Sequence, residues 1–258
     1  MVQRVLVAWP PNFPGKLFVM LRREPVMLTV LWSVKGGVGV SVTSAMLAIS
    51  AAHTDPCLLV DLQGDQPAIL GTAEPTGPTL REWIASPTDV GIDSLRRVEH
   101  PVHDSLGLLL AGSSDDPMPI HKAPNDRVLV AARLLAQSGR SVIVDLGTGA
   151  NPGSGLTTAF ARALLAVADH SLLVTNACYL ALRRASDHSV LPTGVVLVHQ
   201  PERALRSSDV TAALGVPIVC TVPHSTAVAR VVDAGLLTSR LPGMVRRPLH
   251  RYLRGQQQ

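Results

Sequence analysis

The sequence predicts an α/β fold: a mainly parallel, doubly wound sheet with helices on both faces. Three observations predict it. From residue 27 onward, short apolar runs alternate with longer amphipathic ones, the pattern of strands joined by right-handed helical crossovers. Apolar residues make up 47% of the chain and aromatics only 3%, so the core must be built from Val, Leu and Ala, which suits helices packed on parallel strands. The first apolar run also leads straight into a glycine-rich turn and then a helical stretch. That strand–loop–helix context lets backbone N–H groups surround a phosphate.

The elements follow in order. The runs Leu28–Ser33, Cys57–Asp61, Gly107–Ala111, Ser141–Asp145, Ser171–Thr175, Gly194–His199 and Pro217–Thr221 read as strands. Helical stretches fall at about 40–53, 78–86, 125–138, 156–167, 179–189, 207–214 and 226–235. The segment 71–120 is rich in Pro, Gly, Ser and Asp and reads as long surface loops. Residues 1–26 are Pro-rich and basic and break the rhythm; they read as a flexible extension, or as the product of a misassigned upstream start. The domain plan is therefore an extension at 1–26, an α/β domain at 27–237 and a basic tail at 238–258.

Composition excludes several functions. No uncharged apolar run is long enough to span a membrane, and Pro10, Pro11 and Pro14 make the N-terminus a poor signal peptide. Cys57, Cys178 and Cys220 form no C-x-x-C pair, which points to free thiols in a reducing, cytoplasmic setting rather than to a metal site. The net charge of +4 is uneven: residues 1–26 carry +3, residues 234–258 carry +5, and the middle is left with −4. The basic character belongs to the ends, and the core shows no stripe suited to nucleic acid.

The glycine-rich turn is Lys35-Gly36-Gly37-Val38-Gly39-Val40-Ser41-Val42-Thr43. Lys35–Ala48 resembles, without a gap, the deviant phosphate loop of the ParA/MinD family of P-loop NTPases, K-G-G-V-G-K-T-T-T-A. Leu58-Leu59-Val60-Asp61-Leu62 is similar to the family's second-strand motif. Val142-Ile143-Val144-Asp145, closed by Gly149, is similar to its Walker B and switch II. Val174-Thr175-Asn176 followed by Tyr179-Leu180-Ala181-Leu182-Arg183-Arg184 resembles its Y-L-A-L-R segment, and Gly215–Pro223 with Ala227-Val228-Ala229 resembles its closing strand and adenine-side loop. The resemblance covers residues 27–237. Among family members, the CpaE/TadZ group is similar in often lacking a complete phosphate loop.

The resemblance implies ATP or ADP with Mg²⁺ as ligands, held by Gly36, Gly37, Val38, Gly39, Val40, Ser41, Val42, His199 and Pro223. It implies Lys35, Asp61 and Asp145 as residual catalytic groups, and Ser41 and Asp145 as the residues at the Mg²⁺. It also implies a nucleotide-dependent homodimer, a further protein partner and a cytoplasmic location, with peripheral contact at the inner membrane face open. Two departures point the same way. The lysine that bridges the β- and γ-phosphates is Val40, and the second acid of the D-x-D pair is Gln63, with Asp65 two residues later. Losing one charge-assisted contact costs about 1.5–3 kcal/mol, or roughly ten- to a hundred-fold in affinity, and turnover should suffer more. The expectation is a weakened nucleotide site in a slow or inactive ATPase; the alternative is a working ATPase in which another group replaces the lysine. An iron-protein-like redox role is disfavoured, since no cysteine follows the Asp145 strand closely.

Weaker signals have plainer readings. Val245, Leu249, Tyr252 and Leu253 share one helical face at the C-terminus, with Arg246, Arg247 and Arg254 off it. That pattern fits a last helix docked on the sheet better than an anionic-membrane contact, although Pro248 interrupts it. His100 and His103 beside Asp104 read as a solvated loop rather than a metal cluster, and Gly153-Ser154-Gly155 lacks the strand a nucleophile turn needs.

Overall fold

The computed structural model describes residues 27–86, 91–112, 125–148 and 156–255. The extension at 1–26, Gly149 and the Gly153-Ser154-Gly155 turn lie outside these residues.

The strands are β1 (Leu28–Trp32), β2 (Cys57–Asp61), β3 (His100–His103), β4 (Leu106–Leu110), β5 (Ser141–Gly147), β6 (His170–Thr175), β7 (Gly194–His199) and β8 (Ile218–Pro223). They form one sheet in the order β3-β4-β2-β5-β1-β6-β7-β8. Neighbours are parallel except β3 and β4. After β1 the chain moves to one side of the sheet, and after β5 it crosses to the other, so a switch point lies at the carboxyl ends of β5, β1 and β6. Open α/β sheets bind ligands at such a point.

Alternation along the strands explains the two layers. Leu28, Val30 and Trp32 point to one face, with Leu58, Val60, Val142 and Val144. Helices α3 (Leu80–Ala85), α4 (Ile92–Arg96), α5 (Asn125–Ala136) and α6 (Leu156–Val167) cover that face. Leu31, Leu59, Ile143, Leu172 and Val174 point the other way, under α1 (Val40–Ala52), α2 (Gln66–Leu70), α9 (Thr226–Asp233) and α10 (Gly243–Gly255). A smaller cluster joins α7 (Tyr179–Ser186) and α8 (Ser207–Leu214) to β7. β1 is buried at every residue, which is why it reads as an unbroken apolar run. Its Trp32 is fully buried, and the indole N–H donates to Ser171 Oγ at 2.9 Å.

Three expectations need correction. Besides the expected helix and strand, α3 and β4, the described residues between 71 and 112 hold two further elements, α4 and β3, where only loop was expected. β3, His-Pro-Val-His, contains one aliphatic residue and a proline, and it exists because it is an edge strand, where a proline costs no ladder hydrogen bond on its outer side. His100 and His103 therefore sit on a strand, and among the described residues no group of three or more His, Cys, Asp or Glu could hold a metal. The short α2 has no periodic signature; Asp65 opens it and Gly71, at φ +70°, ends it. Pro248 does not break α10, which runs unbroken through it. The carbonyl deprived of a donor is that of Met244, half-exposed and so within reach of water.

The stretch set apart at 238–258 supplies α10, which shares the main core. Val245, Leu249 and Tyr252 are buried against β8 and α1, while Arg246, Arg247, Arg251 and Arg254 are exposed. Among the described residues no helix is long and apolar enough to cross a membrane.

Candidate functional site

The glycine loop springs from the switch point. As β1 ends, the Ser33 N–H donates to the Gly147 carbonyl at 2.7 Å, tying the loop to the end of β5. Gly37 and Gly39 have φ of +75° and +89°. A Cβ at either would meet nothing within 4 Å, so backbone conformation, not space, demands glycine there. Gly39 ends the loop, and the Thr43 N–H bonds back to its carbonyl at 2.9 Å. The N–H groups of Val40, Ser41 and Val42 precede that bond and have no helical partner. Gly39 has no side chain to take them up, and they carry the positive end of the α1 dipole.

A cavity of about 310 Å³ opens beside this helix start, near the lower end for small-molecule sites. Gly37, Val38, Gly39 and Val42 form one wall; Pro223 and Val228 form the opposite one, at the end of β8 and on α9. Thr43, Asn176, Gln200, His224, Ser225 and Asp233 contribute its polar groups; Asn176 Nδ2 donates to Gln200 Oε1 at 3.0 Å, and Asn176 Oδ1 is buried with no partner. His199, the expected reader of an adenine edge, does not line this cavity. It is exposed, and strand alternation turns Val198 and Gln200 to the cavity instead. Val40 is also absent from the wall; its side chain is 7% exposed and packs in the core cluster with Leu31 and Met46. Lys35 is half-buried at the start of the loop, where its N–H meets Ser33 Oγ at 3.2 Å.

No protein-family profile matches the chain, and no curated protein matches it in sequence. Solved structures do match. A ParA family ATPase from Chlorobium tepidum TLS superposes with a TM-score of 0.69 at 17% identity, covering 88% of this chain and 97% of that one. The MinD cell division protein of Aquifex aeolicus gives 0.67 at 16% identity, covering 88% and 95%. The septum site-determining protein MinD of Pyrococcus horikoshii OT3, complexed with Mg-ADP, gives 0.65 at 15%, covering 87% and 93%. The fold is that of the MinD and ParA proteins.

Within this MinD/ParA fold, register brings the two acids together: Asp61 on β2 pairs with Asp145 on β5, and Asp145 pairs with Leu31 on β1. Both aspartates are fully buried. Asp61 holds the following turn. Its Oδ1 accepts the N–H groups of Gln63 and Gly64, each at 2.8 Å, and its Oδ2 accepts that of Gln66 at 2.9 Å. Burial nevertheless outweighs those three bonds and raises its pKa. Gln63, where a second acid was expected, bridges two strand ends: its Nε2 donates to the carbonyls of Leu62 and Leu146, each at 3.1 Å. Its side chain fills the space a Cβ on Gly147 would need, approaching it to 2.4 Å, and Gly147 itself has φ +55°. Asp65 is exposed at the start of α2.

The residue that sequence reasoning missed is Gln66. It is fully buried, and its Nε2 donates to Asp145 Oδ2 at 2.7 Å and to the Ser41 carbonyl at 3.0 Å. Asp145 Oδ1 accepts the Gly147 N–H at 3.2 Å, and Ser41 also bonds the carboxylate. Ser41 and Asp145, the pair expected at a Mg²⁺, are thus adjacent, and a divalent cation needs oxygen donors turned to it. The Gln66 amide bonds the main-chain carbonyl of Ser41, which leaves the Ser41 hydroxyl on the carboxylate. A hydroxyl and a carboxylate at the phosphate end are donors that would fit Mg²⁺ together with phosphate oxygens and water.

Burial, stronger than the bonds from Gln66 and Ser41, pushes the Asp145 carboxyl up to about 6 from the ordinary 3.8. The folded protein therefore keeps this proton across a range where the unfolded chain has lost it. Stability then falls as pH rises from 3.8 to about 6, by about 3 kcal/mol at most. Urea unfolding across that range should show this fall in wild type and a shallower slope in Asp145→Asn. Equal slopes would assign the effect elsewhere.

Proposed function

We propose that this chain is an adenine-nucleotide-binding protein of the ParA/MinD type that hydrolyses ATP slowly or not at all. It acts as a positional or scaffolding switch in cell division, DNA segregation, or pilus or secretion-system localisation. The observation that carries this reading is the contrast at the start of α1: free N–H donors beside a cavity, but an apolar Val40 directed into the core. Binding by backbone donors survives that substitution, because they do not depend on the side chain. Transition-state stabilisation does not survive it, because phosphoryl transfer depends on cations at the developing charge.

The fold likeness supports the reading, as does the Mg-ADP held by the Pyrococcus horikoshii protein. Asn176 and Gln200 on the cavity wall carry amides, groups that suit the edge of an adenine. Lys35, Ser41 and Asp145 are the residual groups of the phosphate end; a nucleotide-dependent homodimer, a protein partner and a cytoplasmic setting complete the proposal.

The test is titration with a fluorescent ADP analogue, followed by an ATP hydrolysis assay beside a ParA/MinD ATPase that carries the lysine. The expected result is measurable binding, with turnover lower by roughly 10²–10³. Equal turnover would overturn the inactive reading and favour the working ATPase.

A further inference from the structure

We propose that the Arg81 side chain is the receptor of a small oxyanion, a carboxylate or a phosphate, bound at the carboxyl edge of β4 and apart from the nucleotide cavity. Arg81 is 5% exposed. Its Nε and Nη1 are shut off from solvent and make no hydrogen bond. A guanidinium does not deprotonate in a protein, so it cannot escape the cost of burial by losing its charge. The fold leaves no other buried charge in this state. The buried charged side chains among the described residues are Asp61, Asp145 and Arg81, and both aspartates are hydrogen-bonded.

The acids that could have answered it are accounted for. Strand alternation puts Asp61 and Asp145 on the face of Leu59 and Ile143, whereas α3 covers the opposite face, with Val60 and Val144. Glu82, next to Arg81 in the chain, accepts the Thr79 N–H at the start of α3. The backbone around Arg81 is committed as well. Its N–H donates to the Ala111 carbonyl at 3.1 Å, and the Ala111 N–H donates to the Asp61 carbonyl at 2.9 Å. Gly112 passes so close that a Cβ there would lie 2.5 Å from Thr79 Oγ1 and 3.3 Å from Arg81 Cβ.

Arg81 is thus rooted at the ends of β4 and β2, on the edge of an open α/β sheet where ligands bind. The end of α3 is not the attraction, since the helix is short and the Arg81 N–H is already used. The attraction is the side chain, a held cation whose charge is unmet. Its planar array of N–H donors matches the oxygens of a carboxylate or a phosphate. Such an ion would supply the partner that a buried guanidinium needs, and the site works without reference to any nucleotide.

The experiment is urea unfolding of wild type and Arg81→Met in sodium chloride, sodium phosphate and sodium succinate, at one ionic strength and neutral pH. In chloride, Arg81→Met should unfold at the same urea concentration as wild type or a higher one, because methionine removes an unpaired buried charge. Phosphate, succinate or both should raise the wild-type midpoint further than that of Arg81→Met, and the rise should grow with the logarithm of concentration. The salt that does so names the oxyanion. The glycine loop is the same in both proteins, so phosphate taken up there cancels in the comparison. A variant less stable than wild type in chloride means that the chain itself supplies a partner, and equal rises in both proteins mean that Arg81 holds no ion; either result overturns the proposal. If Arg81→Met does not fold, wild type decides alone. Its Arg81 side-chain Nε–H NMR signal should shift on adding phosphate or succinate and stay in place with chloride. A signal that ignores both oxyanions overturns the proposal and leaves the nucleotide reading untouched.

Discussion

Val40→Lys is expected to destabilise the nucleotide-free protein and to tighten its hold on ADP. Val40 is buried beneath the glycine loop with Leu31 and Met46, so a lysine there must either bury its amine or thread it up towards the cavity. Burying an unpartnered polar group costs about 1–3 kcal/mol. Added nucleotide offers the amine a charged partner, which restores about 1.5–3 kcal/mol. The signature is therefore a urea midpoint below wild type without ADP and a larger rise on adding ADP than wild type shows. Affinity for the fluorescent analogue should improve roughly ten- to a hundred-fold. Turnover should recover less, because Gln63 still bridges the strand ends where a carboxylate was expected to direct water. If the variant binds ADP no better than wild type, the loop does not hold phosphates and the proposed function fails.

Leu249→Ala is expected to cost about 2–5 kcal/mol, the range for truncating a fully buried leucine. Val245, Leu249 and Tyr252 recur at spacings of four and three, so they fall on one stripe of α10. The stripe is used up against β8 and α1. Burial pushes the Tyr252 phenol pKa well up, and its ring meets His170 edge-on at 6.4 Å between centroids. Removing residues 240–258 should therefore do more than Leu249→Ala and prevent cooperative unfolding, which makes truncation a poor probe of membrane contact. The better probe is Leu249→Ala in urea. An unchanged midpoint would mean that α10 leaves the core readily, and its apolar face would then be available to a lipid surface.

The prediction for α10 also shows where sequence reasoning was strong. Its apolar spacing, like the alternation that marks β1, β2, β5, β6 and β7, is a local property. The error at Pro248 came from judging the helix in isolation: the lost bond falls on the carbonyl of the exposed Met244, where water is at hand. β3 and α2 were illegible for a related reason. An edge strand of His-Pro-Val-His and a five-residue helix carry almost no periodic signal, and they persist because neighbouring elements hold them.

At the site the division is sharper. The glycine loop, its missing lysine at Val40 and the two strand-end aspartates were all visible in the sequence, because each is written in consecutive residues. What Gln66 does was not. Its partners lie 25 and 79 residues away, and nothing in Asp-Gln-Pro announces them. Sequence by itself determined the α/β alternation, the loop and the departures within it. Only the tertiary structure decided that Gln200 rather than His199 faces the cavity, that Val40 turns into the core, and that the Gln66 amide bonds Asp145 and the Ser41 carbonyl. Those outcomes depend on which strand ends the sheet order brings side by side, and on burial, which turns a neutral side chain into the partner of a charge.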